Sequence, residues 1–131
     1  KPWEKKDFVK HYFRGGGRPI NLKNVGLGPT FRSHPSVRAA VNAFKGALSL
    51  VSPRLTPNFN YSSRTITDVT DTIFPVGHST FFQSAVCGPS TCEVSFSIKD
   101  RFADPVGVGI ELPGGTPYAI NYEWTETFNR E

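Results

Sequence analysis

Methionine is absent from all 131 residues, and cysteine occurs only twice. No apolar run approaches the roughly 18 residues that a membrane-spanning helix needs, so no such helix is expected. There is no run of five basic residues, which weighs against a nucleic-acid-binding arm. No internal repeat and no low-complexity tract is visible. Neither a G-x-S-x-G elbow nor a Ser-His-Asp order occurs, which weighs against serine hydrolysis. The glycines Gly15-Gly16-Gly17 are not followed by Lys-Ser/Thr, so they do not form a phosphate loop. The sequence opens Lys1-Pro2-Trp3 and shows no signal peptide. The expectation is a domain cut from a larger secreted protein, as its C-terminal part, with export directed by the rest of the parent chain.

What is present describes a folded domain. Apolar residues make up 37% and charged residues 20%, outside the range of disordered chains. The length suits one domain, residues 1–131, with one continuous core. Fifteen Lys and Arg against eleven Asp and Glu leave a net charge of +4. That balance suits an anionic partner, and it equally suits an ordinary basic surface.

Cys87 and Cys92 bracket Gly88-Pro89-Ser90-Thr91. The spacing fits a hairpin whose strand ends face each other within disulfide reach. It is too wide for a CxxC redox motif, and no further Cys or nearby His completes a zinc site. A disulfide here stabilises by only about 2 kcal/mol, because its loop is short. It carries information about location: the periplasm or the outside.

Residues 4–13 read as a short helix with Phe8, Val9 and Tyr12 near one face, stopped by the three glycines. Arg18–Leu22 reads as short and extended, and Gly26, Gly28 and Pro29 as breakers. The clearest helix covers about 34–50, with Ser33 as N-cap, Pro35 in the first turn and Val37, Ala40, Val41, Phe44 and Leu48 on one stripe. Strands follow at Arg64–Val69, Thr80–Cys87, Cys92–Lys99 and Tyr118–Trp124. In the third, Cys92, Val94, Phe96 and Ile98 alternate with Glu93, Ser95, Ser97 and Lys99. Helices first and strands second define an α+β class: N-terminal helices packed on an antiparallel sheet.

Two stretches carry a resemblance. His11-Tyr12-Phe13-Arg14-Gly15-Gly16-Gly17, followed by Ile20-Asn21-Leu22-Lys23-Asn24-Val25-Gly26-Leu27, resembles the start of the activity domain of colicin M-like bacteriocins. Phe74-Pro75-Val76, Phe96–Ile98, Asp100 and Tyr118-x-Ile120 run in the same order as in that family's strand-rich half. The resemblance implies a strongly curved, half-barrel-like sheet and a toxin that hydrolyses lipid II in the target periplasm with Mg2+. It further implies a cognate immunity protein and work at the outer surface of the inner membrane, by a monomer without a nucleic-acid partner. The family signature is D-x-Y-D followed by a His-Arg pair. Here Asp100-Arg101-Phe102-Ala103-Asp104 matches the first aspartate, puts Phe102 in the tyrosine's place and brings Asp104 one position late, and no His-Arg pair follows.

The chemistry of such a reaction selects a short list. A diphosphate ester needs charge neutralisation at its oxygens, a positioned water and usually a metal on carboxylates. Asp100 and Asp104, in a turn after a strand, are the candidate catalytic carboxylates, with Asp100 also the metal ligand. Arg101 is the candidate phosphate clamp. His78, beside a glycine between two strands, is the candidate general base. Each has a plainer alternative: loop solvation and turn-forming bonds for the aspartates, a structural hydrogen bond for the histidine. His11 reads as structural, and His34, in a helical first turn, as neither charged nor functional. Phe81, Phe82, Phe102, Tyr122 and Trp124 line a groove for a polyprenyl tail or, on the plainer reading, form the core. Three functions follow: a lipid II phosphoesterase, a non-enzymatic envelope- or partner-binding module on the same scaffold, and a basic nuclease toxin.

Overall fold

A computed structural model of the chain describes residues 1–73, 75–103 and 113–130. Helix α1 spans Lys5–Arg14. The Glu4 side chain caps the amide at Asp7, and the Asp7 carboxylate accepts from the Glu4 amide at 2.8 Å. Phe8 and Tyr12 are its buried positions, one turn apart. Gly15 ends the helix, with its amide on the His11 carbonyl at 2.7 Å.

Two further helices precede the main strands. The stretch read as broken at Gly28 and Pro29 is a six-residue helix, α2, at Gly28–Ser33. Proline fits at its start because the first helical N–H has no partner anyway. Helix α3 spans Pro35–Ser49, and its buried face is Val37, Ala40, Val41, Phe44 and Leu48, as the spacing predicts. Its N-cap is not Ser33 but His34, whose Nδ1 accepts the Ser36 amide at 3.0 Å. Ser33 is instead spent on α2, where its hydroxyl donates to the Thr30 carbonyl.

The strands are β1 (Ile20–Asn21), β2 (Phe59–Asp68), β3 (His78–Cys87), β4 (Thr91–Phe102) and β5 (Tyr118–Asn129), in the sheet order β1-β5-β4-β3-β2. Strands β2 to β5 form an antiparallel meander. The two-residue β1 runs parallel to β5, with Ile20 against Ile120, so the sheet is mixed rather than wholly antiparallel. All four long strands are longer than expected, although β2 stops at Asp68, one residue before its expected end. Asp100 accordingly lies inside β4, opposite Ile120, and not in a turn after it. Polar alternation on an exposed sheet face hides strand ends from a search for apolar runs.

One face of the sheet meets the helices. Phe81, Ala85, Val94, Phe96, Ile98, Phe102, Ile120 and Tyr122 are buried there with Phe31, Val41 and Phe44. Buried Gln83 ties the layers together: its Nε2 donates to the Ala40 carbonyl at 3.1 Å, and its Oε1 accepts from Ser63 at 3.0 Å. The other face is open to solvent, with Ile66, Phe82 and Val86 exposed. Cys87 and Cys92 are register partners and form a disulfide across the β3–β4 hairpin. The Arg130 guanidinium donates to the carbonyls of Val51, Thr56, Pro57 and Gly88, clasping the end of the described chain to that hairpin. Among the described residues no helix is long and apolar enough to cross a membrane.

Candidate functional site

The two stretches that carry the resemblance meet in space. Gly17 and Pro19 from the glycine turn, Lys99, Asp100 and Arg101 from β4, and Pro117, Tyr118 and Ala119 from β5 line one open cleft of about 500 Å³. The His11-Tyr12 pair lies behind this lining and supports it. His11 Nε2 lies 2.8 Å from the Arg18 carbonyl, which folds the turn back on α1, and its ring meets Tyr118 edge-on at 4.5 Å. Gly16 and Gly17 take positive φ values of 65° and 83°, open to glycine at little cost. The Tyr12 carbonyl accepts the Thr116 amide at 2.8 Å, and the Tyr12 ring lies directly against Gly115. His11 is thus structural, as expected.

Asp100 and Tyr118 are the two ionisable groups of this cleft whose acidity is displaced. The Asp100 side chain is on the core face, half-buried beside Ser79. Burial raises its pKa above the ordinary aspartate value of 3.8, against the opposing pull of hydrogen bonds from the Arg101 amide and the Ser79 hydroxyl. Those bonds are 2.8 Å to Oδ1 and 3.1 Å to Oδ2. A half-buried carboxyl whose pKa is raised is suited to general acid–base work. Lys99 and Arg101 alternate to the opposite, solvent face, and all three residues line the open cleft at this end of the strand. Tyr118 donates its hydroxyl to the Phe8 carbonyl at 2.8 Å, and burial pushes its pKa upward.

The other expected residues are placed elsewhere or not described. His78 opens β3 and is exposed, with Nε2 3.2 Å from Asp68 Oδ2. Alternation puts it on the face opposite the Asp100 side chain, and it is not among the residues that line the cleft. Asp104 lies outside the described residues. Phe102 is buried, edge-on to Tyr12 at 5.9 Å and to Tyr118 at 5.4 Å, which accounts for a ring without a hydroxyl at this place. The proposed aromatic groove dissolves into the core. Phe81, Phe102 and Tyr122 are buried, Trp124 packs against them, and Phe82 stands on the far face.

Ser79 and Lys99 were not among the candidate site residues, and Gly17 and Tyr118 entered only through the stretches that carry the resemblance. Ser79 was detectable in principle, since it alternates with Phe81 and so belongs to the buried face. The His34 ring also does more than expected. Besides capping α3, its Nε2 pairs with Asp71 Oδ1 at 2.7 Å, and this bond holds the Asp71 pKa low. Asp68 is held low chiefly by the Thr70 hydroxyl and amide.

The magnesium ion implied by the resemblance does not fit the described donors by themselves. Asp100 is the one carboxylate they bring to the cleft, and both of its oxygens already accept hydrogen bonds. No group of three His, Cys, Asp or Glu residues suited to a metal ion occurs among the described residues.

The fold and cleft define an α+β domain with a carboxyl group at the end of its sheet. No protein-family model matches the chain. No curated protein matches it either.

Proposed function

We propose that this domain is an antibacterial toxin of the colicin M-like kind that hydrolyses a phosphoester bond of lipid II in the periplasm of a target cell. The curved, half-barrel-like form of the sheet belongs to the same reading. The observation that carries it is the cleft, where the glycine turn and Asp100-Arg101, far apart in sequence, stand together. In this reading Arg101 and Lys99 neutralise the phosphoryl oxygens. A water oxygen forms a new bond to phosphorus as the ester P–O bond breaks. The leaving oxygen takes the Asp100 proton, and the attacking water gives up a proton that restores it. The disulfide supports an oxidising compartment. A secreted toxin of this kind requires a cognate immunity protein in the producing cell, and the cleft is the surface for it to cover.

The non-enzymatic module keeps one specific support: Phe102, in the place of the family's tyrosine, is core. A single experiment separates the readings. The chain is expressed in bacteria with and without a periplasmic signal, and lipid-linked precursors are analysed. The hydrolase reading expects killing only with the signal, together with loss of lipid II and appearance of a split product. Killing with intact lipid II supports the binding module. Killing from the cytoplasm supports the nuclease and overturns both.

A further inference from the structure

The basic residues look scattered along the sequence, but α1 gathers four of them. Lys5, Lys6, Lys10 and Arg14 face one acid, Asp7, so this single helix holds a net +3 of the chain's +4. Lys6, Val9, Lys10, Phe13 and Arg14 follow the helical spacing of one stripe, away from buried Phe8 and Tyr12. Together with Lys5 they line a shallow, open groove. Phe13 is 42% exposed in the middle of these cations, although the core lies one residue away at Tyr12. A nucleic-acid surface uses cations without needing an apolar side chain one turn from another. A lipid headgroup layer takes both, because aliphatic and aromatic groups enter the acyl boundary while Lys and Arg stay among phosphates.

We infer that the exposed face of α1 docks this domain on an anionic phospholipid bilayer. Exposed Phe13 enters the interface, with half-buried Val9 at its base, and Lys6, Lys10 and Arg14 pair with lipid phosphates. The position of α1 gives the docking a consequence. The helix ends at Arg14, and Gly17, three residues later, lines the Asp100 cleft. Docking by α1 therefore holds the cleft near the headgroup layer, where the diphosphate of a lipid-anchored substrate resides. That consequence rests on the proposed hydrolase reading; the docking itself does not.

The test is co-sedimentation of the 131-residue chain with vesicles, read without any lipid II. Mixed phosphatidylglycerol–phosphatidylethanolamine vesicles are compared with phosphatidylcholine vesicles. The wild type should prefer the anionic vesicles and lose that preference in high salt. The double variant Lys6→Glu/Lys10→Glu should lower the partition coefficient at least about tenfold. Phe13→Ser should lower it several-fold at unchanged charge. Lys23→Glu/Arg54→Glu, with the same change in net charge on other surfaces, should bind nearly as the wild type does. Circular dichroism melts establish that each variant is folded. The inference is overturned if the wild type shows no anionic preference, or if the two double variants lose binding equally. Binding to a DNA duplex but not to vesicles, lost on Lys6→Glu/Lys10→Glu, would assign the surface to nucleic acid instead. Because no hydrolysis is measured, failure here leaves the cleft untouched, and failure of lipid II hydrolysis leaves the docking result standing.

Discussion

Ser79 Oγ stands 3.1 Å from Asp100 Oδ2 and 2.9 Å from the Val76 carbonyl oxygen. A hydroxyl has one proton, so it cannot donate to both acceptors at once. Its pull on Asp100 is shared with the Val76 carbonyl. Burial favours the neutral carboxyl and raises the Asp100 pKa, and the bonds from the Arg101 amide and Ser79 oppose that rise without cancelling it.

Asp100→Asn imitates that neutral state, with the amide nitrogen donating to Ser79 and the amide oxygen accepting from Arg101. Because the folded form binds the Asp100 proton more tightly than the unfolded chain does, Asp100 contributes its full stability below pH 3.8 and loses it as pH rises through the folded pKa. Denaturant melts across this range should show the wild type losing ground to Asp100→Asn as pH increases. Periplasmic toxicity of the variant should fall by at least about 100-fold, the scale of losing one preorganised group. Full toxicity together with full stability would remove Asp100 from the mechanism.

Phe44 is the next test, because its ring belongs to two layers. It stacks on Tyr61 at 5.3 Å and meets Phe96 edge-on at 6.4 Å, and it is 3% exposed. Phe44→Ala should cost about 3–5 kcal/mol in an equilibrium melt. A loss below about 1 kcal/mol would mean that the α3–sheet interface collapses around the gap without strain.

The elements that could be read from the sequence were those with one strong period. The apolar stripe of α3 and the alternation in Cys92–Lys99 each gave the buried face residue by residue, and the Cys87–Cys92 spacing gave the hairpin and its bridge. Boundaries were lost where tertiary contacts decide them. The β4 pairing continues through Asp100 and Arg101 because β5 supplies Ile120 and Ala119 as partners, and these lie about twenty residues away in sequence. The α3 cap passed from Ser33 to His34 because α2, hidden behind Gly28-Pro29, claimed the serine. Of the site, Asp100 and Arg101 were named in advance, but alternation turned His78 away from the Asp100 carboxyl and towards Asp68. Ser79 was passed over because a lone serine carries no chemical signature until its neighbour across the sheet is known.

The disulfide makes a simple chemical prediction. Thiol titration of protein made in an oxidising compartment should find no free cysteine, with or without denaturant. Cys87→Ser/Cys92→Ser should lower stability by about 2 kcal/mol, the entropy scale of so short a loop. Two free thiols in the native oxidised preparation would withdraw the support for an extracytoplasmic site of action.

Gly115 offers the sharpest test of how the cleft is built. A Cβ added there would stand 2.0 Å from Tyr12 Cε2 and 2.3 Å from Cδ2, distances no relaxation of one methyl group can absorb. Tyr12 is 1% exposed and hemmed in by Phe13 and Phe102, so its ring has nowhere to go. The segment must move instead, although the Thr116 amide is bonded to the Tyr12 carbonyl and Pro117, the next residue, lines the cleft. Gly115→Ala should therefore cost about 1–3 kcal/mol, as overpacking does, and should lower activity beyond what the folded fraction explains. Gly114→Ala is the control. That glycine has φ 89° but open space around it, so alanine strains the backbone without touching Tyr12. It should lose stability on a similar scale while the folded protein keeps its activity. Tyr12→Leu should restore part of the stability of Gly115→Ala by making room for the methyl group, a coupling that independent sites do not show. If Gly115→Ala and Gly114→Ala lose activity only in step with stability, the buried Tyr12 ring does not shape the cleft, and the His11-Tyr12 motif is a feature of the fold alone.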